Sequence, residues 1–334
     1  MTAKHNIILG IFLASSTILS PMPVAASATS VQQASRQQVD FADSLNQMAD
    51  AIAEQYAIEE LAIEIADALR RGLASGTVKT NSSDAFIETV NKILWETAHD
   101  KHLSVRTQEA IQKRMSRAGG NRVPTMRRVS RAVGSGPLGT TKITSEMLTD
   151  TVGLVTISSA IYRNPDLFAD ALKQVKDADS LVIDLRGVPG GTVPGVRYFL
   201  SQFYSERTHL YSNVSRQSDE PREIWTESTP LSAAFTDKSL YILTSKRTAS
   251  GAEAISFGFK NTGRATLIGE KTAGAGNGGA FMSVGNGLML FLPTMQTISA
   301  TTGKPWEGTG VVPHHDATAD EALKKALTLI DTKV

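Results

Sequence analysis

Apolar residues recur every three or four positions in the first third of the chain, which is typical of amphipathic helices. The positions that show this spacing between residues 39 and 71 are Phe41, Leu45, Met48, Ile52, Leu61, Ile65 and Leu69. Residues 56–60 break the run and predict a joint between two helices. A third apolar stripe predicts another helix at 85–97, with Ser82 or Ser83 as its N-cap. We therefore expect an N-terminal helical-bundle domain over residues 38–118.

Beyond residue 151 the pattern changes to short apolar runs that alternate with helix-like stretches. The predicted strands are 152–157, 181–185, 239–244, 265–268 and 288–292, and the predicted helices are 165–175, 193–203, a helix after Ser250, and one that opens at residues 318–321 and continues to 330. Such alternation indicates an α/β core. We assign this core domain to residues 151–334. The stretch between the domains, 119–150, is rich in basic residues and glycine and predicts a hinge.

The first residues have the pattern of a secretory signal peptide, assigned to residues 1–28. Lys4 and His5 precede the apolar run 7–14, and small residues at Ala26 and Ala28 offer cleavage sites after either position. The run is too short to cross a bilayer, so we expect no membrane span in the mature form. The chain has no cysteine, which suits export to an oxidising compartment. The predicted location is the periplasm or the medium.

Composition limits the partners. Hydrophobic residues make up 41% of the chain, enough for a folded core, and the formal net charge is +1. A nearly neutral chain argues against nucleic acid as the main partner. The group His314, His315 and Asp316 matches no metal-binding spacing, and the glycines at 187–191 lack the lysine of a phosphate loop. We predict neither a metal nor a cofactor.

Ser250 lies where the strand 239–244 turns into a helix. Free backbone N–H groups and the positive end of the helix dipole favour negative charge there. An acyl-transfer nucleophile needs this environment, because its tetrahedral intermediate carries an oxyanion. Ser250 and Glu253 also fit an ordinary capping box, so these residues alone leave both interpretations open.

Three further segments change that balance: 181–191 with its Pro189-Gly190-Gly191 turn, 265–276, and Trp306-Glu307-Gly308-Thr309-Gly310. Together with the turn at Ser250 they resemble, in order, the C-terminal processing peptidase family, also called tail-specific proteases. The resemblance implies an α/β fold with a Clp-protease/crotonase-like spiral core of ββα units. It also implies a serine peptidase whose oxyanion hole uses two backbone N–H groups, that of Gly251 and one from the turn that contains Gly190 and Gly191.

The resemblance offers two catalytic designs. The Ser–Lys dyad places its lysine 25 residues after the nucleophile, and this chain has Ala275 there. The tricorn and retinoid-binding-protein-like branch instead uses a histidine base and a late glutamate, which implies His102 and Glu307. Histidine titrates near neutral pH and suits general base catalysis. One residue departs from that branch: Lys101 stands where a serine links the histidine to the glutamate.

These features predict an exported serine peptidase that hydrolyses peptide bonds in peptides or unfolded proteins through a Ser250 acyl-enzyme, with His102 as general base and Glu307 in support. Only about 50 residues separate His102 from the core, which leaves no room for the inserted peptide-binding domain of many tail-specific enzymes. Substrate would then bind as an added strand. The alternative is a non-catalytic protein on the same fold that binds an apolar, retinoid- or lipid-like ligand or a peptide. The sequence leaves the oligomeric state open.

Overall fold

The computed structural model of this protein describes residues 40–117 and 141–332. The predicted signal peptide and most of the predicted hinge lie outside the described residues. The described part contains two β-sheets with helices packed against them.

The three helices predicted from apolar spacing are present, and a short fourth helix follows them. They are α1 (Ala42–Gln55), α2 (Glu59–Ala74), α3 (Ser83–Ala98) and α4 (Gln108–Arg117). The apolar side chains of α1 to α3 are fully buried at Leu45, Ile65 and Val90. Their cluster continues onto Leu290 and Leu292. The helices therefore share a core with a strand late in the chain, while the predicted division into domains stays a prediction.

The first sheet has six strands in the order β11-β8-β7-β4-β3-β2. These are β2 (Ile143–Met147), β3 (Val152–Ile157), β4 (Ser180–Asp184), β7 (Ser239–Thr244), β8 (Thr266–Gly269) and β11 (His315–Asp316). All neighbours are parallel except β2 and β3. Every residue of β4 is buried, as expected for a central strand covered on both faces. The carboxyl ends of β4 and β7 meet at one edge, where open α/β sheets usually place their sites.

The second sheet is antiparallel and was not predicted apart from one strand. It contains β1 (Ser104–Thr107), β5 (His209–Val214), β6 (Arg222–Trp225), β9 (Asn277–Ser283) and β10 (Leu288–Ser299). The long strand β10 pairs with β1, β5 and β9. The predicted strand 288–292 thus continues to Ser299, across a register shift between Pro293 and Met295. Proline lacks an N–H and is tolerated at such irregularities.

The remaining helices pack against the sheets or against one another. They are α5 (Pro165–Lys173), α6 (Val193–Ser201), α7 (Ser232–Phe235), α8 (Gly251–Asn261) and α9 (Ala322–Asp331). Helix α8 carries a row of fully buried side chains, including Ile255 and Phe259, that fixes it against the core. Within the described ranges no helix has the length and apolar character that a membrane span needs.

Candidate active site

Ser250 occupies a strained turn between β7 and α8. Its backbone has φ 52° and ψ −120°, a conformation rarely adopted by residues other than glycine. A sharp strand-to-helix turn of this kind exposes the side chain at the end of the strand, as in the nucleophile elbow of α/β-hydrolases. The Ser250 N–H donates to Glu253 Oε2 at 2.9 Å, so the first turn of α8 holds the strained residue in place.

The turn at Ser250 is tied to the turn that follows β4. Thr248 Oγ1 donates to Leu185 O at 2.8 Å, and the Ala249 N–H donates to Val188 O at 3.1 Å. Because β4 and β7 are parallel neighbours, these bonds join two loops at the same sheet edge. The Gly-rich turn at 189–191 is thereby fixed beside the serine.

Glycine is required at the contact between the two turns. Gly190 has φ 142°, and a Cβ there would lie 3.1 Å from Ser250 Cβ. A Cβ on Gly251 would lie 2.6 Å from the Gly191 nitrogen. The backbones of Gly191 and Gly251 therefore pack directly against each other, with the amide of Gly251 at the N-terminus of α8.

The Gly191 N–H lies outside the local backbone bridge. In that bridge the Ile161 N–H donates to Gly190 O at 2.9 Å and the Thr192 N–H donates to Ile161 O at 2.8 Å. The hydrogen bonds of this bridge involve Gly190 O and the Thr192 N–H, and the Gly191 N–H takes no part in them. Two amides suited to an oxyanion thus lie next to Ser250, one on each turn.

Glu253 is a fully buried carboxylate beneath this turn. Besides the Ser250 N–H it accepts bonds from Thr272 Oγ1 at 2.5 Å and from the N–H groups of Gly274 at 2.7 Å and Ala275 at 2.8 Å. Four donors compensate the burial of its charge. From the sequence only a capping role was predicted for Glu253, whereas in the structure its hydrogen bonds join the Ser250 turn to the loop at 272–276.

His102 lies in the turn between α3 and β1. Helix α3 ends at His99 in a left-handed conformation, with φ 50°. Asp100 then closes the turn: its Oδ1 accepts the His102 N–H at 2.8 Å and the Leu103 N–H at 3.3 Å. The imidazole stacks on Phe291 of β10, with ring centroids 5.4 Å apart. Strand β1, which follows, is paired with β10, so the ring rests on a fixed support.

A buried polar network surrounds the histidine. Asp100 is 2% exposed, and its Oδ2 accepts bonds from the Tyr56 hydroxyl at 3.0 Å and from Asn277 Nδ2 at 2.9 Å. Ligand atoms of Asp100, His102 and Glu307 all lie within 4.8 Å of one another. Glu307 Oε2 accepts the N–H groups of Gly276 at 2.5 Å and Asn277 at 2.7 Å. The structure therefore brings His102 and Glu307 together, with Asp100 as a third member.

Three buried atoms in this network have no partner among the described residues: His102 Nδ1, Glu307 Oε1 and Asn277 Oδ1. A base and a carboxyl group that are both short of one hydrogen bond, and close together, are suited to share a proton directly or through a water. The oxygens of Asp100 and Glu307 Oε2 already accept two donors each. Few lone pairs are left for a metal ion, so the donor set favours proton transfer over metal binding.

Burial shifts the pKa of both groups. Burial lowers the pKa of His102, against the opposing effect of the Asp100 and Glu253 charges. Burial and the neighbouring Asp100 charge raise the pKa of Glu307 to about 7. Neutral imidazole is the form that can accept a proton, so the lowered pKa keeps His102 competent as a base at neutral pH.

Successive N–H groups of residues 274–277 connect the Ser250 turn, through Glu253, with the network around His102, through Glu307. Gly274 and Ala275 donate to Glu253, and Gly276 and Asn277 donate to Glu307. Lys101 binds the same loop, because its ammonium donates to Ala273 O. The lysine at the position of the branch's linking serine is therefore directed to a backbone carbonyl of this loop.

Sequence comparison places this arrangement in a family. The model of peptidase family S41 matches residues 151–317, half of the chain. The chain belongs to peptidase family S41. The predicted resemblance to the C-terminal processing peptidases is thereby confirmed. The matched region contains Ser250, Glu307 and the glycines at 190, 191 and 251.

One similar relative of this S41 chain is the carboxy-terminal processing protease CtpB of Bacillus subtilis, 28% identical over 141 residues. The alignment covers 41% of this chain and 28% of the relative, so the chain matches little more than a quarter of that protein. A putative peptidase from Parabacteroides merdae has a similar structure, with a TM-score of 0.62, 15% identity, and coverage of 87% of this chain and 96% of that one. The tricorn protease gives a TM-score of 0.51 at 13% identity, covering 87% of this chain and 36% of its own. These likenesses confirm the predicted α/β fold.

Proposed function

We propose that this chain is an exported serine peptidase that cleaves peptide bonds through an acyl-enzyme at Ser250, with His102 as general base. The observation that carries the proposal is the loop at 274–277. Its successive amides hold Glu253 under the nucleophile turn and Glu307 beside the histidine. Nucleophile and base are thus mounted on one hydrogen-bonded frame.

In the proposed mechanism Ser250 Oγ attacks the scissile carbonyl while His102 takes the hydroxyl proton. The N–H groups of Gly251 and Gly191, with Gly190 shaping the turn, stabilise the oxyanion. The C–N bond then breaks as His102 returns the proton to the leaving amine. A water, activated by the same histidine, hydrolyses the ester and regenerates Ser250.

Glu307 is proposed to support the imidazolium that forms during each step. Its Oε1 and His102 Nδ1 are both buried, and both lack a hydrogen-bond partner among the described residues. Contact between them, direct or through a water, would orient the ring. Asp100 contributes by fixing the backbone of the His102 turn. Lys101 is proposed to lie outside the proton path, because its ammonium donates to Ala273 O.

Substrate is proposed to bind as an extended strand along β9. This strand pairs with β10 on one edge, and no strand within 40–117 or 141–332 pairs with its other edge. It begins at Asn277, next to Glu307, so an added strand would start beside the catalytic cluster. Export rests on the apolar run and small residues at the N-terminus.

An active-serine phosphonate probe tests the proposal. Intact-mass analysis should show one adduct on the wild type, none on Ser250→Ala, and labelling of His102→Ala slower by about 100-fold or more. Ser256→Ala is the matched control, because Ser256 lies in the same helix and only donates to Ala252 O. Its labelling should equal that of the wild type.

Undiminished labelling of Ser250→Ala would refute the nucleophile assignment. An unlabelled wild type that binds a fluorescent fatty acid or retinol saturably, with the same affinity in Ser250→Ala, would favour the apolar-ligand alternative.

A further inference from the structure

A cavity of about 360 Å³ near the Gly-rich turn at 189–191 is lined by four arginines. These are Arg163, Arg197, Arg207 and Arg222, and Trp225 lines the same cavity. The cavity lies between the start of α6 and the β5–β6 hairpin. We propose that this arginine pocket binds a carboxylate of the peptide substrate close to the scissile bond. The inference deepens the proposed peptidase function and rests on it.

The position of the pocket follows from the chain. Val193 and Pro194 line its wall, and Val193 lies two residues beyond Gly191. Two residues of chain span at most about 7 Å, so the part of the wall at Val193 lies within that distance of Gly191. Gly191 in turn packs on Gly251. A side chain or terminus one or two residues from the cleaved bond can reach a pocket at this distance.

The charges in the pocket are unbalanced. Glu227 pairs with Arg163 at 3.3 Å and with Arg197 at 3.6 Å. The other lining carboxylate, Glu223, accepts the Trp225 Nε1–H at 2.9 Å. Four arginines against two glutamates leave two positive charges in excess.

Arg207 and Arg222 carry that excess. In the part of the chain that the structure describes, neither guanidinium forms an ion pair. The Arg207 guanidinium lies over the Trp225 ring, 4.0 Å from its centroid. Stacking holds the planar group in place and leaves its N–H edge free to bind a carboxylate with two parallel bonds.

The carboxylate could belong to an Asp or Glu side chain of the substrate or to its free C-terminus. The two sources share the same chemistry and differ in which peptide modification abolishes binding. Four labelled decapeptides separate them: one neutral Ala/Ser/Leu sequence with Glu or Gln at its centre, each as free acid or C-terminal amide.

Binding is measured by fluorescence anisotropy on the full Ser250→Ala protein, where no turnover is needed. We expect at least one carboxylate-bearing peptide to bind about tenfold more tightly than the doubly neutral one, and this preference to shrink as NaCl rises. Loss of affinity on amidation assigns the C-terminus, and loss on Glu-to-Gln exchange assigns a side chain.

Arg207→Gln and Arg222→Gln, each added to Ser250→Ala, should remove most of the preference. Arg71→Gln, which removes an exposed arginine on α2, should leave it intact. Equal affinity for all four peptides, or a preference that survives both pocket substitutions, would overturn the inference. Because anisotropy is independent of turnover, a failed nucleophile assignment would appear only in the phosphonate labelling.

Discussion

Replacing Glu253 by glutamine tests the frame beneath the nucleophile, because the exchange keeps the shape and removes the charge. Both carboxylate oxygens accept two donors in the structure. The amide nitrogen of glutamine accepts no hydrogen bond. The two donors that bind one carboxylate oxygen in the wild type would therefore face the NH₂ group of the glutamine and lose their acceptor. If that pair is Ser250 N–H and Ala275 N–H, the strained turn itself loses its anchor.

The expected loss follows from those bonds. Each hydrogen bond to a charged group contributes about 1.5–3 kcal/mol, so two lost bonds predict a destabilisation of about 3–6 kcal/mol. For a protein of this size that corresponds to a fall of roughly 10 °C in the unfolding temperature. Peptidase activity should fall further than stability predicts, by about 100-fold or more, because misorientation of the nucleophile weakens catalysis directly.

Thermal unfolding followed by circular dichroism, and kcat/KM measured well below the unfolding temperature, separate the two effects. Glu270→Gln is the control: its side chain is 24% exposed and pairs with the exposed Lys246 at 3.5 Å, so we expect a change below about 1 kcal/mol. An unfolding temperature of Glu253→Gln within about 2 °C of the wild type, with undiminished kcat/KM, would refute the role assigned to the buried carboxylate.

Three further predictions address the rest of the site. The Glu307 pKa is raised from 4.5 to about 7, so the folded state holds its proton more tightly than the unfolded state does. The resulting stabilisation is complete below pH 4.5 and is lost as pH rises to about 7. The free energy of unfolding of the wild type, measured in urea, should therefore fall across that pH range by about 3 kcal/mol more than that of Glu307→Gln. An equal pH dependence of the two proteins would contradict the raised pKa. Lys101→Ser should change kcat/KM at most a few-fold, because the ammonium binds Ala273 O, whereas a loss above about tenfold would put Lys101 in the proton path. Gly190→Ala should reduce phosphonate labelling, because the alanine side chain would crowd Ser250. The unfolding temperature should fall by only a few degrees, because alanine at φ 142° is strained by about 1–3 kcal/mol. Labelling at the wild-type rate would argue against the oxyanion role proposed for this turn.

The sequence predicted the parallel core well because its strands are short apolar runs bounded by turn residues. Strands β3 and β7 begin and end where the pattern placed them. Strand β9 could not be found this way, since its Asn277-Gly278-Gly279 start is typical of a loop. Its strand conformation comes from pairing with β10, where a Cβ on Gly279 would lie 2.1 Å from Leu292 O. Glycine here permits close approach of two backbones rather than flexibility.

The supporting residues of the site were harder to predict than the residues that we propose as reactive. Ser250, His102 and Glu307 stand in motifs, whereas the Asp100–Asn277 bond joins residues 177 positions apart in sequence. Tyr56 likewise reaches Asp100 from the end of α1. No local pattern marks such pairs, because each partner is unremarkable in its own segment. Only the packing of the helices on β10 brings them together.

The loop at 272–277 explains why a histidine base fits this chain better than a lysine. Ala275, where the dyad design has its lysine, is 5% exposed and donates its N–H to Glu253. Thr272 and Gly274 donate to the same carboxylate. A lysine side chain at 275 would start from a buried position beside this carboxylate and be drawn into an ion pair, which raises its pKa and removes its use as a base. Because the loop binds Glu253 and Glu307, a base has to come from another element, and we propose that the α3–β1 turn supplies it as His102.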